Sequence, residues 1–163
     1  MRIIIKNKDT LLFDDFSFKC SIGKRGITSR KVEGDKKTPK GIFTLGPLYY
    51  RKDRINNPTT KLKKVKINKY MGWSDDIKSE TYNKIIKISK KVKHEKLFRR
   101  DHQYDLIIPI NYNTKKPKKN KGSAIFLHLT ENYKGTLGCI AIKKNDMLIL
   151  LKLINRKTKI KIF

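Results

Sequence analysis

The chain has 163 residues, the size of one domain with a substantial core. Hydrophobic residues make up 37% and run along the whole length, which excludes a disordered basic tail. Lys and Arg number 41 against 14 Asp and Glu, a formal charge of +27 that draws polyanions to the surface.

Lysine far outnumbers arginine, Ile and Asn are common, and the only alanines are Ala124 and Ala141. AT-rich coding produces that bias whatever the function, so the charge by itself selects no partner. Cys20 and Cys139 are the only cysteines. Two cysteines without a CxxC make no disulfide framework, and Cys20 reads as a small buried side chain. The longest apolar run, residues 147–151, is far too short to cross a membrane. The start, Met1-Arg-Ile-Ile-Ile-Lys6, shows no h-region or cleavage site, which leaves a cytoplasmic location open.

In chain order, residues 2–5 form an apolar run that reads as a strand, followed by a turn over 7–10. Residues 16–22 alternate partly and stop at Gly23, a second strand. Residues 23–26 and 33–41 are turn-rich. Residues 42–50 predict a strand broken at Gly46-Pro47, and 61–67, where Leu62, Val65 and Ile67 stand among lysines, an exposed one. Residues 71–76 read as a polar loop carrying the single tryptophan, Trp73, and 82–89 as weakly strand-like. Residues 94–101 predict a short helix. Two buried strands follow at 104–110 and 123–129, separated by a basic loop over 114–121. Asn145 is placed to cap a helix over 146–154, and the alternation of 158–162 closes the chain with a half-wet strand. The fold class expected is mainly β with one or two short helices, in one domain spanning 1–163.

The chemistry concentrates near the C-terminus. His128 ends an apolar strand, and Cys139 follows a glycine eleven positions later, across a polar loop. A cysteine attacks only as thiolate, and a nearby imidazole can take its proton. Gly138 permits a tight turn or close approach of substrate. Backbone N–H groups over Leu137, Gly138 and Cys139 could form an oxyanion hole, with the Thr136 hydroxyl near the imidazole or substrate. The residues alone leave another reading open, in which Cys139 is core and His128 a satisfied polar group.

Trp73 could stack on sugar or peptide, or pack in the core. Asp75 and Asp76 could bind a metal or a substrate amine, or brace a loop. His94 and His102 match no common zinc spacing, so no metal or other cofactor is expected. The 114–121 patch has no groove-reading motif beside it, so no specific nucleic acid is expected either.

Several blocks, in order along nearly the whole chain, carry a resemblance. They are Gly23-Lys-Arg-Gly26, Glu33-Gly-Asp-Lys-Lys-Thr-Pro-Lys-Gly-Ile-Phe43, Gly72-Trp-Ser-Asp-Asp76, Tyr104-Asp-Leu106, Gly122-Ser-Ala-Ile-Phe-Leu-His128 and Thr136-Leu-Gly-Cys-Ile140. Together they resemble the L,D-transpeptidase catalytic domain, the YkuD type, in a compact branch with a short His-to-Cys loop. The resemblance implies a β-sandwich-like fold acting on peptidoglycan stem peptides or muropeptides in the periplasm or cell envelope, as a monomer. It gives Cys139 the role of nucleophile and His128 that of base. Thr136 takes the small-hydroxyl position and Gly138 the glycine before the cysteine. Ser123, Trp73 and Asp76 are the candidate substrate contacts. Two positions depart from the family pattern: Leu137 stands where many members have His or Lys, and Ala141 where many have Arg or Asn. The outcomes implied are crosslinking, or L,D-carboxypeptidase or amidase-type hydrolysis at the same site. A basic polyanion-binding module, for nucleic acid or an anionic envelope polymer, on an inactive scaffold is the reading of another class.

Overall fold

A computed structural model describes residues 1–163. Its elements in chain order are β1 (Arg2–Lys6), β2 (Thr10–Phe13), β3 (Phe16–Ser21), β4 (Ile27–Thr28), β5 (Thr38–Pro39), β6 (Gly41–Thr44), β7 (Leu48–Tyr50) and β8 (Lys64–Lys66). They continue with β9 (Met71–Ser74), β10 (Ile85–Lys87), β11 (His94–Lys96), β12 (Leu106–Pro109), β13 (Phe126–Leu129), β14 (Ile140–Ile142), α1 (Lys144–Leu153) and β15 (Lys159–Ile162). The fold is mainly β with one helix.

Ten strands form one sheet, in the order β6-β15-β1-β2-β3-β14-β13-β12-β7-β8. Alternation sends Ile3, Ile5, Leu11, Phe13, Ile160 and Ile162 to one face, where they meet Met147, Leu150 and Leu151 of α1 in the large core. The sheet curls until its ends approach. Leu45, just after β6, bridges Ile110, just after β12. Gly46 N–H donates to Pro109 O at 2.8 Å and Asn111 N–H to Thr44 O at 2.9 Å. This near-closure covers backbone that would otherwise stand as open edge.

The break expected at Gly46-Pro47 is real, and it sends β6 and β7 to distant places in the sheet order. The turn expected over 7–10 is present, with Asn7 and Lys8 at φ 53° and 67°, but Thr10 already belongs to β2. The helix after β14 starts at Lys144 behind Lys143, with no side-chain cap, so Asn145 lies inside the first turn rather than capping it. Asp146 in that turn and Lys152 in the last one suit the helix dipole.

Two expectations are overturned. Residues 71–74 are not a polar loop but β9, the central strand of a three-stranded antiparallel sheet, β10-β9-β11. Trp73 and Met71 supply an apolar face that a second core receives, and that burial outweighs the polar neighbours. Residues 94–101 are not a helix: 94–96 pair with β9 as β11, and the following backbone is pinned by side chains from elsewhere. Arg51 Nη1 donates to Arg99 O at 2.6 Å, and Arg54 donates to Arg100 O at 2.8 Å and to Asp101 O at 2.7 Å. Those carbonyls have found partners that a helix would have supplied internally.

The second core positions the site. Tyr49, Ile67, Trp73, Leu97, Tyr104, Ile107, Ala124, Phe126 and Cys139 pack together, joining the three-stranded sheet to the outer face of β12 and β13. Trp73 meets Phe126 edge-to-face at 5.1 Å and Tyr49 at 6.4 Å.

Candidate active site

β13 and β14 run parallel in register Leu127↔Ile140, His128↔Ala141 and Leu129↔Ile142. Alternation therefore gives Leu127, Leu129, Ile140 and Ile142 to the large core, and turns Phe126 and His128 to the other face. Cys139, just ahead of β14, joins Phe126 there in the second core. The thiol and the imidazole thus lie on one face of two neighbouring strands, with Ala141 directly opposite His128.

Both side chains are buried, Cys139 at 8% exposure and His128 at 4%. His128 Nδ1 donates to Leu129 O at 2.8 Å, so the neutral ring carries its proton there and Nε2 keeps its lone pair. Cys139 Sγ donates to Ala124 O at 3.2 Å and accepts from Phe126 N–H at 3.3 Å. Burial pulls the imidazole down to about 4, reinforced by Arg99 and opposed by the hydrogen bond to Leu129. Burial pushes the thiol up to about 12, with Glu95 adding to the effect. At neutral pH the resting pair is therefore uncharged.

The Thr136 hydroxyl hydrogen-bonds to neither imidazole nor thiol. It donates to Cys139 O at 2.6 Å and accepts from Gly138 N–H at 3.1 Å, closing the turn that presents the cysteine. Gly138 has φ 143°, and a Cβ there would sit 3.0 Å from Lys37 O, so this turn requires glycine. The turn is tied to the body of the protein by Thr136 N–H to Ile22 O at 2.8 Å and Lys24 N–H to Thr136 O at 2.9 Å. Leu137 stands at its tip, 69% exposed.

The candidate substrate contacts are placed differently. Ser123 Oγ donates to Glu33 Oε2 at 2.8 Å. Trp73 is 7% exposed, meets Tyr49 and Phe126 in edge-to-face contacts, and its Nε1 donates to Asn83 Oδ1 at 2.9 Å, so the ring packs in the second core. Asp76 accepts from Lys78 N–H at 3.0 Å and Lys93 N–H at 3.2 Å, which holds its carboxyl below the usual range and makes it a loop brace. His94 and His102 stand apart from the pair, bonded to Val92 O and to Asp105. Cys20 is free and buried opposite Ile142.

Other residues around the pair were not singled out from the sequence. Asn83, 2% exposed, accepts from Trp73 and from Ala124 N–H at 3.0 Å, and donates to Asn113 O at 2.7 Å and Tyr112 O at 3.1 Å. It thereby holds Ala124, at φ 51°, whose carbonyl receives the thiol. Glu33 accepts from Tyr82 and Ser123, and Glu95 accepts from Tyr104. The signal available was the scarcity of acids: with 14 Asp and Glu against 41 Lys and Arg, each carboxylate is conspicuous.

The fold and site define a curled β protein that presents a buried cysteine and histidine on adjacent parallel strands. The family model of the L,D-transpeptidase catalytic domain, YkuD, matches residues 2–162. The chain belongs to that family, whose activity is directed at peptidoglycan and whose members are usually associated with the cell envelope. No curated protein and no solved structure matches it. No helix is long and apolar enough to cross a membrane.

Proposed function

We propose that the protein is a cysteine acyltransferase for peptidoglycan stem peptides, with Cys139 as nucleophile and His128 as base. The observation that carries this reading is the shared face of β13 and β14, which turns the thiol and imidazole to the same side within a family-matched chain. In the reaction, Sγ attacks the carbonyl of the third stem residue while its proton passes to His128 Nε2. Because burial disfavours a thiolate and an imidazolium at rest, proton transfer accompanies attack rather than preceding it. The Leu129 carbonyl holds Nδ1–H, orients the ring and stabilises the imidazolium when it forms.

The oxyanion is received by the N–H groups of Leu137 and Cys139, since that of Gly138 is occupied by Thr136. The imidazolium then protonates the departing D-alanine amine as the C–N bond breaks and the thioester remains. An acceptor amine attacks the thioester, returns the thiol and forms a crosslink. With water in its place the product is the shortened stem peptide, the carboxypeptidase outcome. An amidase-type hydrolysis would use the same thiol on another bond. Leu137 offers the substrate an apolar contact at the mouth of the site, where a charged or imidazole side chain is common in the family.

Incubation with a disaccharide-tetrapeptide donor, followed by mass spectrometry of protein and products, tests this. Wild type is expected to carry an acyl adduct on Cys139 and to release D-alanine; Cys139→Ala does neither. An adduct on the variant, or no turnover by the wild type with any muropeptide, overturns the assignment. The product set also separates amine acceptors from water.

A further inference from the structure

The outward positions of β6, β15, β1 and β2 are exposed or half-buried, while the inward ones fill the large core. Alternation and register set the outward side chains in rows across the sheet. One row runs Thr44, Lys159, Arg2. The next runs Ile42, Lys161, Ile4, Leu12. The third holds Lys6 and Thr10, continued on β3 by Lys19. A mainly apolar row therefore lies between two rows that carry cations. Ile42 in it is 48% exposed. Phe163, just past β15, is 51% exposed, with the Lys161 ammonium 4.1 Å from its ring centroid.

This face is unfavourable in water on two counts. Arg2 and Lys159 stand directly opposite each other as like charges, and half-exposed apolar side chains lie beside them. None of Arg2, Lys6, Lys19, Lys159 and Lys161 forms an ion pair. No outward position of these strands carries an acid; Asp9, Asp14 and Asp15 sit in the turns at the strand ends. A partner with negative charge above an apolar interior relieves both. We propose that this face docks onto an anionic phospholipid surface. The cations meet the phosphate headgroups, and the row of Ile42, Ile4 and Leu12 enters the boundary with the acyl chains. Lysine stems are long enough to keep their methylenes on the apolar row while the ammonium groups reach the phosphates. A soluble polyanion would engage the cations and leave the apolar row in water, so the interleaving of the two selects a lipid surface. The catalytic pair lies on β13 and β14, further along the sheet, so docking and acyl transfer are tested separately.

The test is flotation of the full chain with vesicles of phosphatidylcholine, with and without phosphatidylglycerol, beside binding to soluble polyglutamate. Wild type should float only with phosphatidylglycerol, and less as salt rises. Joint replacement of Arg2→Gln, Lys159→Gln and Lys161→Gln should weaken vesicle binding about a hundredfold, from about fivefold per cation. Lys115→Gln, Lys116→Gln and Lys118→Gln together remove the same charge from the exposed 114–121 loop and should lose far less. Ile42→Ser should weaken vesicle binding and leave polyglutamate binding unchanged. Equal losses in the two triple variants would mean that net charge alone acts, and would overturn the proposal. So would an Ile42→Ser variant that binds vesicles as wild type does, which would assign the face to soluble polyanions. Absence of flotation with phosphatidylglycerol vesicles overturns it outright. Should the face variant fail to fold, Ile42→Ser and the loop variant decide: loss in the first with retention in the second upholds docking, and any other pattern overturns it.

Discussion

His128 is held neutral by burial, and that has a cost in acid. Its folded value of about 4 lies below the ordinary 6.5, so between those pH values the unfolded chain binds a proton that the native ring refuses. Stability from this residue is fully present above about pH 6.5 and falls as pH drops toward 4, by about 3 kcal/mol in all. Urea denaturation at pH 7 and pH 4.5 should show that loss in wild type and a smaller one in His128→Gln; equal losses would contradict it. That His128 and Cys139 come to one face of neighbouring strands was legible from residue type, polar loop and preceding glycine. What surrounds them was not. The sequence left Trp73 between stacking and core, and Asp76 between substrate contact and loop brace, because it shows a residue's chemistry but not the hydrogen-bond partners it finds. Asn83 passed unnoticed because one asparagine in a turn-rich stretch carries no sign that four hydrogen bonds converge on it.

At the scale of elements, hydrophobic runs were read correctly where they were long and bounded, as in β1, β12, β13 and β15. The failures came where a short segment takes its conformation from a distant partner. β9 becomes a strand because β10 and β11 flank it and a second core receives Trp73. The segment after β11 is irregular because Arg51 and Arg54, about fifty residues earlier in the chain, capture its carbonyls. That capture predicts the effect of Arg54→Ala. Besides losing those bonds, the variant strips Asp105, 2% exposed, of its 2.9 Å partner and leaves a buried carboxylate short of compensation. A destabilisation of about 3 kcal/mol is expected, read from thermal unfolding. Adding Asp105→Asn should recover part of it, and no recovery would mean that the loop pins, rather than the charge pair, carry the loss.

For the whole molecule, the charge of +27 and the cysteine–histidine site make separable statements. The charge predicts attachment to anionic polymer whose affinity falls linearly on a log–log plot against salt. Cys139→Ala should bind a model polyanion such as polyglutamate as wild type does, because the thiol plays no part in that field. Binding that ignored salt would dismiss the electrostatic account. We also infer that residues 1–163 unfold as one unit, since both cores share β12 and β13. The curl of the sheet has a further consequence, in the order of assembly. β15 lies between β6 and β1. It pairs with residues more than a hundred positions away, Ile160 with Ile3 and Ile160 with Phe43, so no local nucleus can complete that part of the sheet. Until β15 docks, β1 and β6 each present an unpaired rim, and the half-made sheet is open to pairing with another chain. During refolding, the amides shared by these three strands should gain protection from exchange together, in one late step.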